Sequence, residues 1–344
     1  MRLKFVLCFA TVVSLFTTVV AAQIGMKPQV LFVPKKANTA VLIAPAAQAL
    51  TYSRGEGTSN GHLVSATDVQ ISAAPALSEF RLWFENGDHK MRRIGILHEQ
   101  GSMRANFSDQ NDDDPFRALA SWVNVPDATG GTITATGGGA FSIQLPPKPP
   151  NTTLVLSGFS FERQSGTDNN LRTVSIGINQ EAATVQVSLI DDQGSDFRSV
   201  TDPFMTGGLV GNLPFGAIVG GVMSTEAMVR AIINEGRNTA RPYAATIQYA
   251  YIPDSRIATN GSVSGTNRSR DGIHGQLPNR GPFAIRGFSF RFNNADHHML
   301  GVGVHFWGMP LFSGQRGSAE SPITYQDNNS DDPIQWIIDY TLLR

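Results

Sequence analysis

Two short acidic clusters hold the side chains best suited to chemistry. They are Asp109, Asn111, Asp113 and Asp114 in the first, and Asp327, Asn329, Asp331 and Asp332 in the second. A hard cation such as calcium takes several oxygen ligands, and acid or amide side chains at alternate positions supply them. Asp109, Asn111 and Asp113, with Asp327, Asn329 and Asp331, are therefore candidate calcium ligands. The full helix-flanked calcium loop is absent, since no Gly sits at its turn position and no Glu closes it. The same oxygens can accept hydrogen bonds from sugar hydroxyls. In a solvated turn they would instead cap backbone donors ahead of a strand. All three roles remain open from the residues alone.

Trp307, beside a Gly-Met-Pro stretch, is the tryptophan best placed for an exposed ligand contact, and Trp122 reads as core. His89, His297 and His298 flank a polar turn. They read first as hydrogen-bonded turn histidines, with zinc binding or pH sensing as the sharper alternative. No Gly-x-Ser-x-Gly elbow, phosphate-binding glycine loop, dinucleotide fingerprint or His-Glu-x-x-His is present. The single cysteine, Cys8, lies in an apolar leader. Arg2 and Lys4 precede an uncharged run to Val20, and Val20-Ala21-Ala22 provides the small residues of a cleavage site. This predicts a signal peptide over residues 1–22 and a secreted, extracellular chain without disulfides or thiolate metal sites.

The leader takes two of the 27 basic residues, leaving 25 against 28 acidic ones. So mild a balance gives no basic surface for nucleic acid. Gly and Pro are frequent and helical patterns scarce, which suits short strands and many turns.

The elements that must hold these loops recur three times. Phe80 to Ile96 aligns without a gap on Phe288 to Val304, and Phe159 to Ile176 aligns with one inserted residue. Each segment reads as an alternating strand, a turn containing Asp88, Asp168 or Asp296, and a second alternating strand. A closing strand follows, with Trp122, Tyr249 or Tyr340 at the same place, and Pro-Asp then opens the next unit. The expectation is an all-β chain of three tandem β-sandwich, jelly-roll-like repeats in a pseudo-threefold arrangement. The repeats span 23–126, 127–253 and 254–344. The second carries an insertion at about 197–236, with a Gly-rich apolar stretch and a short helix starting near Ser224 or Thr225. Pro214 and the glycines argue against a membrane-spanning segment and for a flap over the sandwich. Gly236 to Arg241 stand where the other repeats carry their acidic clusters, so an acid-dependent site would exist in two repeats only.

The order of strand, Asp turn, Asn170-Leu171-Arg172-Thr173-Val174, strand, polar loop and closing aromatic strand resembles the H-type lectin domain. That family is a six-stranded sandwich that binds N-acetylgalactosamine-type sugars and assembles as trimers. The resemblance implies sugar contacts in the loop before the last strand, here 109–115, 236–242 and 327–333. The aromatic and histidine contacts of that loop are not present, so no sugar specificity carries over. The sequence thus predicts a multivalent carbohydrate-binding or adhesion protein without catalytic residues. Its partner would be an extracellular glycan or cell-surface glycoconjugate, calcium would be an optional cofactor, and homo-oligomers are open to it. The alternatives are a structural or coat protein and a secreted hydrolase. The second would require two convergent carboxylates in one cleft.

Overall fold

The computed structural model describes residues 49–59, 71–85, 90–109, 114–163, 170–191, 225, 242–266, 282–292, 298–305, 323–327 and 334–344, with Thr266 and Asp327 described by backbone alone. It adds the strand backbones 29–31, 41–43, 63–66, 218–219 and 222–223. The predicted signal segment lies outside the described residues.

Residues Met1–Ala49 form one compact unit, in which β1 (Gln29–Leu31) pairs antiparallel with β2 (Val41–Ile43). Residues Leu50–Arg344 form the other, which holds the first repeat from Leu50 onward and the whole of the second and third.

The first repeat supplies β3 (Thr51–Ser59), β4 (Leu63–Ala66), β5 (Ala76–Phe84), β6 (Met91–Glu99), β7 (Ser102–Asp109) and β8 (Phe116–Asn124). The second supplies β9 (Thr129–Gly138), β10 (Ala140–Gln144), β11 (Thr152–Arg163), β12 (Leu171–Asn179), β13 (Thr184–Asp191) and, after β14 (Ile218–Val219) and β15 (Val222–Met223), β16 (Pro242–Pro253). The third supplies β17 (Ile257–Thr266), β18 (Phe283–Phe292), β19 (Met299–Val304), β20 (Ile323–Asp327) and β21 (Ile334–Leu343). Alternation of apolar and polar residues makes these strands, because one face must be covered while the other need not be.

No main sheet belongs to one repeat. The three sheets run β20-β19-β5-β8-β3, β4-β7-β6-β11-β16-β9 and β10-β13-β12-β18-β21-β17. Each joins strands of two repeats, and the seams share one register: Phe80 faces Val304, Phe159 faces Ile96, and Phe288 faces Ile176. The first repeat pairs with the second, the second with the third, and the third with the first. The three sandwiches thus close into a ring, with all pairings antiparallel. Two bulges also recur at equivalent places. One is skipped at Ser78, Ser157 and Arg286, the other at Arg92, Arg172 and Leu300. A bulge bends its strand and strengthens the local twist, so equal bulges give equal curvature in each third.

Phe80, Phe159 and Phe288 meet where the three repeats converge. Their ring centroids lie 5.0, 5.2 and 5.2 Å apart, and all three rings are fully buried. One continuous apolar core spreads from this point through every repeat. The seams need small residues. A Cβ on Gly95 would lie 2.6 Å from the Cα of Ser160, and one on Gly303 would lie 2.5 Å from the Phe80 carbonyl oxygen. The matching place in the second repeat is Ser175, whose hydroxyl is 2.7 Å from that of Ser289 across the seam.

Candidate functional site

The acidic clusters begin where β7 of the first repeat and β20 of the third end. Asp109 closes β7 opposite Met91, and Asp327 closes β20 opposite Met299. The second repeat has an aspartate at the same position, since Asp191 closes β13 opposite Leu171. The sequence reading placed Gly236 to Arg241 there and missed it. The register shows that the long insertion follows Asp191, so only the residues after the aspartate differ.

Asp191 is not available to a ligand. Arg163, at the end of β11, donates to both of its carboxylate oxygens, with Nη1 at 2.6 Å from Oδ2, and both side chains are buried. In the other repeats the place of Arg163 is taken by Phe84 and Phe292. Phe84 stacks on Phe107 at 4.2 Å and Phe292 on Tyr325 at 4.4 Å. The second repeat has therefore exchanged an aromatic stack for an ion pair, and the pair uses up the recurrent acid.

In the first repeat the Asp109 side chain is buried, at 4% exposure. Asp114 is half-buried at the loop's far end. Two contacts join the end of β5 to the start of β8. The Glu85 amide donates to the Pro115 carbonyl at 3.1 Å, and Arg117 donates to the Glu85 carboxylate at 2.8 Å. Asp327 is fixed as the last residue of β20. Asn111, Asp113, Asn329, Asp331, Asp332 and Trp307 lie outside the described residues, as do Asp88, Asp168, Asp296, His89 and His297. Among the described residues no group of three or more acidic, histidine or cysteine side chains is placed to hold a metal ion.

Three polar clusters sit at the recurrent bulge next to the central phenylalanines, and sequence reading did not find them. In the first repeat Ser121 donates to Glu79 at 2.7 Å, and Glu79 is 2% exposed. Burial pushes the Glu79 carboxyl up, while the Ser121 hydrogen bond and the Arg54 charge pull it down. Nearby, Arg81 lies over the Trp83 ring at 5.0 Å. Burial, reinforced by the Arg81 charge, lowers His305 to about 4.

At the first seam His98 Nε2 and Ser157 Oγ are 2.8 Å apart, a spacing also found in nucleophile–base pairs. Ser157 is fully buried, its carbonyl accepts the Trp122 indole N–H at 2.8 Å, and Gln248 clasps the His98 backbone at both N and O. His98 is half-buried, and with Ser157, Trp122 and Gln248 it braces the seam between the first and second repeats. Burial lowers His98 to about 4, partly offset by the Glu99 charge.

In the third repeat Asp339 accepts from Ser262 and from both the amide and hydroxyl of Thr225. Thr225 belongs to the second repeat's insertion, so this residue docks on a strand of the third repeat. The rest of the expected flap lies outside the described residues apart from the short strand backbones β14 and β15.

No family model matches the chain, and no curated protein matches it. Among solved structures it is similar to the crystal structure of the major capsid protein P2 from bacteriophage PM2, at 8% identity and a TM-score of 0.18, over 59% of this chain and 97% of that one. An overlap of that size bears on neither ligand nor partner.

Proposed function

We propose that the protein is a secreted, non-catalytic, multivalent binding protein whose partner is an extracellular glycan. The observation that supports this reading is the closed ring of repeats. Ring closure presents the same strand ends, and hence the same loop positions, three times from one rigid core. A rigid set of weak sites gains avidity without any new contact. Glycan contact, with or without calcium, would fall to the first and third repeats, at Asn111, Asp113, Asp114, Asn329, Asp331 and Asp332. Asp109 would support the first loop from beneath. The second repeat would not contribute an acid, because Asp191 is held by Arg163.

The test is a glycan array on the chain from Gln23 to Arg344, run with calcium and again with chelator. Binding lost with chelator supports calcium-dependent recognition by the acidic loops. Binding that survives keeps the glycan and removes the cation. An array blank in both conditions overturns the proposal. A second reading, structural assembly, is favoured by the long edge strands β3, β9 and β17, one at an end of each main sheet, each nine or ten residues long and none containing Lys or Pro. Such edges are the ones that pair with further strands unless they are guarded. Light scattering that rises with concentration would mark this reading.

A further inference from the structure

Of the three long edges, β3 is unlike the others. β9 and β17 carry no charge, whereas β3 reads Thr-Tyr-Ser-Arg-Gly-Glu-Gly-Thr-Ser from Thr51 to Ser59. It is the last strand of the sheet β20-β19-β5-β8-β3, so one row of its backbone donors and acceptors has no neighbouring strand among the described residues. Its inner face carries Ser53 and Gly55 against the core. Its outer face carries Tyr52, Arg54, Glu56 and Thr58, all exposed.

The outer face is self-complementary. Arg54 and Glu56 stand on either side of Gly55, with their charged atoms 3.8 Å apart along the strand. If β3 meets β3 of a second molecule antiparallel, with Gly55 opposite Gly55, each Arg54 lies opposite a Glu56. The interface then gains two cross-strand ion pairs. The same register sets Tyr52 opposite Thr58, twice. Tyr52, at 56% exposure, is the single exposed large hydrophobic residue among the described ones. Directly opposed side chains in an antiparallel pair lie about 4.5–5.5 Å apart at Cβ, close enough for both contacts. Shifting the register by one residue in either direction would remove the charge match and move Tyr52 away from Thr58.

We propose that two molecules of this chain dimerise through β3, in the antiparallel register that centres on Gly55. The two five-stranded sheets become one sheet of ten. The contact is isologous, so it closes on itself and forms a dimer rather than a fibre. The backbone ladder supplies the adhesion, while Arg54, Glu56, Tyr52 and Thr58 choose partner and register. This specifies the partner in the assembly reading and rests on that reading only through the unguarded edge.

The experiment is sedimentation velocity over a concentration series, on the chain with Cys8→Ser. A reversible dimer is expected. Arg54→Glu and Glu56→Arg each create two like-charged pairs per interface and should weaken self-association about tenfold. The double variant R54E/E56R restores opposite charges and should restore the dimer. Arg54 also faces buried Glu79, so R54E could lower stability by itself. A cross-link therefore provides an independent arm. Tyr52→Cys with Thr58→Cys, in the chain otherwise free of cysteine, should form covalent dimers under mild oxidation, and neither single variant should. A chain that stays monomeric throughout the series, or a dimer insensitive to both charge reversals and not trapped by the double cysteine, would overturn the proposal. Larger assemblies that persist alongside either result would leave the assembly reading standing and remove only this interface.

Discussion

Phe80, Phe159 and Phe288 show how one residue type at one strand position can hold three repeats together. Each ring touches its two equivalents and no solvent. Truncating one removes a buried aromatic and leaves a cavity that two facing rings cannot close. Phe159→Ala should therefore cost about 3–5 kcal/mol in chemical denaturation. A loss below about 1 kcal/mol would show that the centre relaxes. His98 and His305 supply a second residue-scale expectation. Their folded values stand near 4 because burial penalises the imidazolium, while the unfolded chain takes up protons at about 6.5. As pH falls from 6.5 towards 4, the unfolded state binds more protons than the folded one, so stability must fall across that window. The stability these histidines contribute is complete above pH 6.5 and lost below 4. Urea midpoints measured from pH 7.5 to 4 should decline for the native chain. They should decline less for a His98→Gln, His305→Gln variant, and equal slopes would remove these histidines as the cause.

At the scale of elements, Arg163 and Asp191 make the sharpest contrast between repeats. A buried ion pair is weak evidence of net stability, but removing one partner strands a charge. Asp191→Ala should destabilise the chain by about 3–5 kcal/mol, since it leaves the Arg163 guanidinium buried without its carboxylate. Arg163→Phe combined with Asp191→Asn should be much milder, because it places in the second repeat the aromatic that the other two carry. Thermal unfolding of the two variants separates these outcomes, and equal losses would contradict the ion-pair account. Much of this level was legible in the sequence. The gapless match of Phe80–Ile96 to Phe288–Val304 predicts the observed register, and the shared position of Trp122, Tyr249 and Tyr340 is the one the pairings give. The seams were not legible. Alternation shows that a strand has a neighbour but not which repeat provides it, and Gly95 or Gly303 reads as an ordinary strand glycine until Ser160 or Phe80 stands 2.5–2.6 Å from its missing Cβ. Asp191 escaped for a similar reason. The fifty residues from 192 to 241 hide its equivalence to Asp109, and only the pairing with Leu171 exposes it.

For the whole molecule, the shared sheets decide how it must unfold. Three independent sandwiches joined by linkers would melt as separate units. Here β5 of the first repeat needs β19 of the third, β11 of the second needs β6 of the first, and β18 of the third needs β12 of the second. Opening any repeat exposes two seam edges and part of the central aromatic cluster, so partial unfolding forfeits stability in its neighbours as well. Calorimetry on the intact chain should therefore show a single cooperative transition for Leu50–Arg344. Removing residues 254–344 should leave neither of the remaining repeats folded as a monomer, because the cut strips the partners of β5 and β12 together. Two or three resolved transitions, or a well-folded monomer of the shortened chain, would mean that each sandwich is stable without its seam. The same reasoning bears on the acidic loops. Loops mounted on a core that unfolds only as a whole keep their spacing up to the transition, so a glycan bound at the first and third repeats should raise that single transition rather than split it.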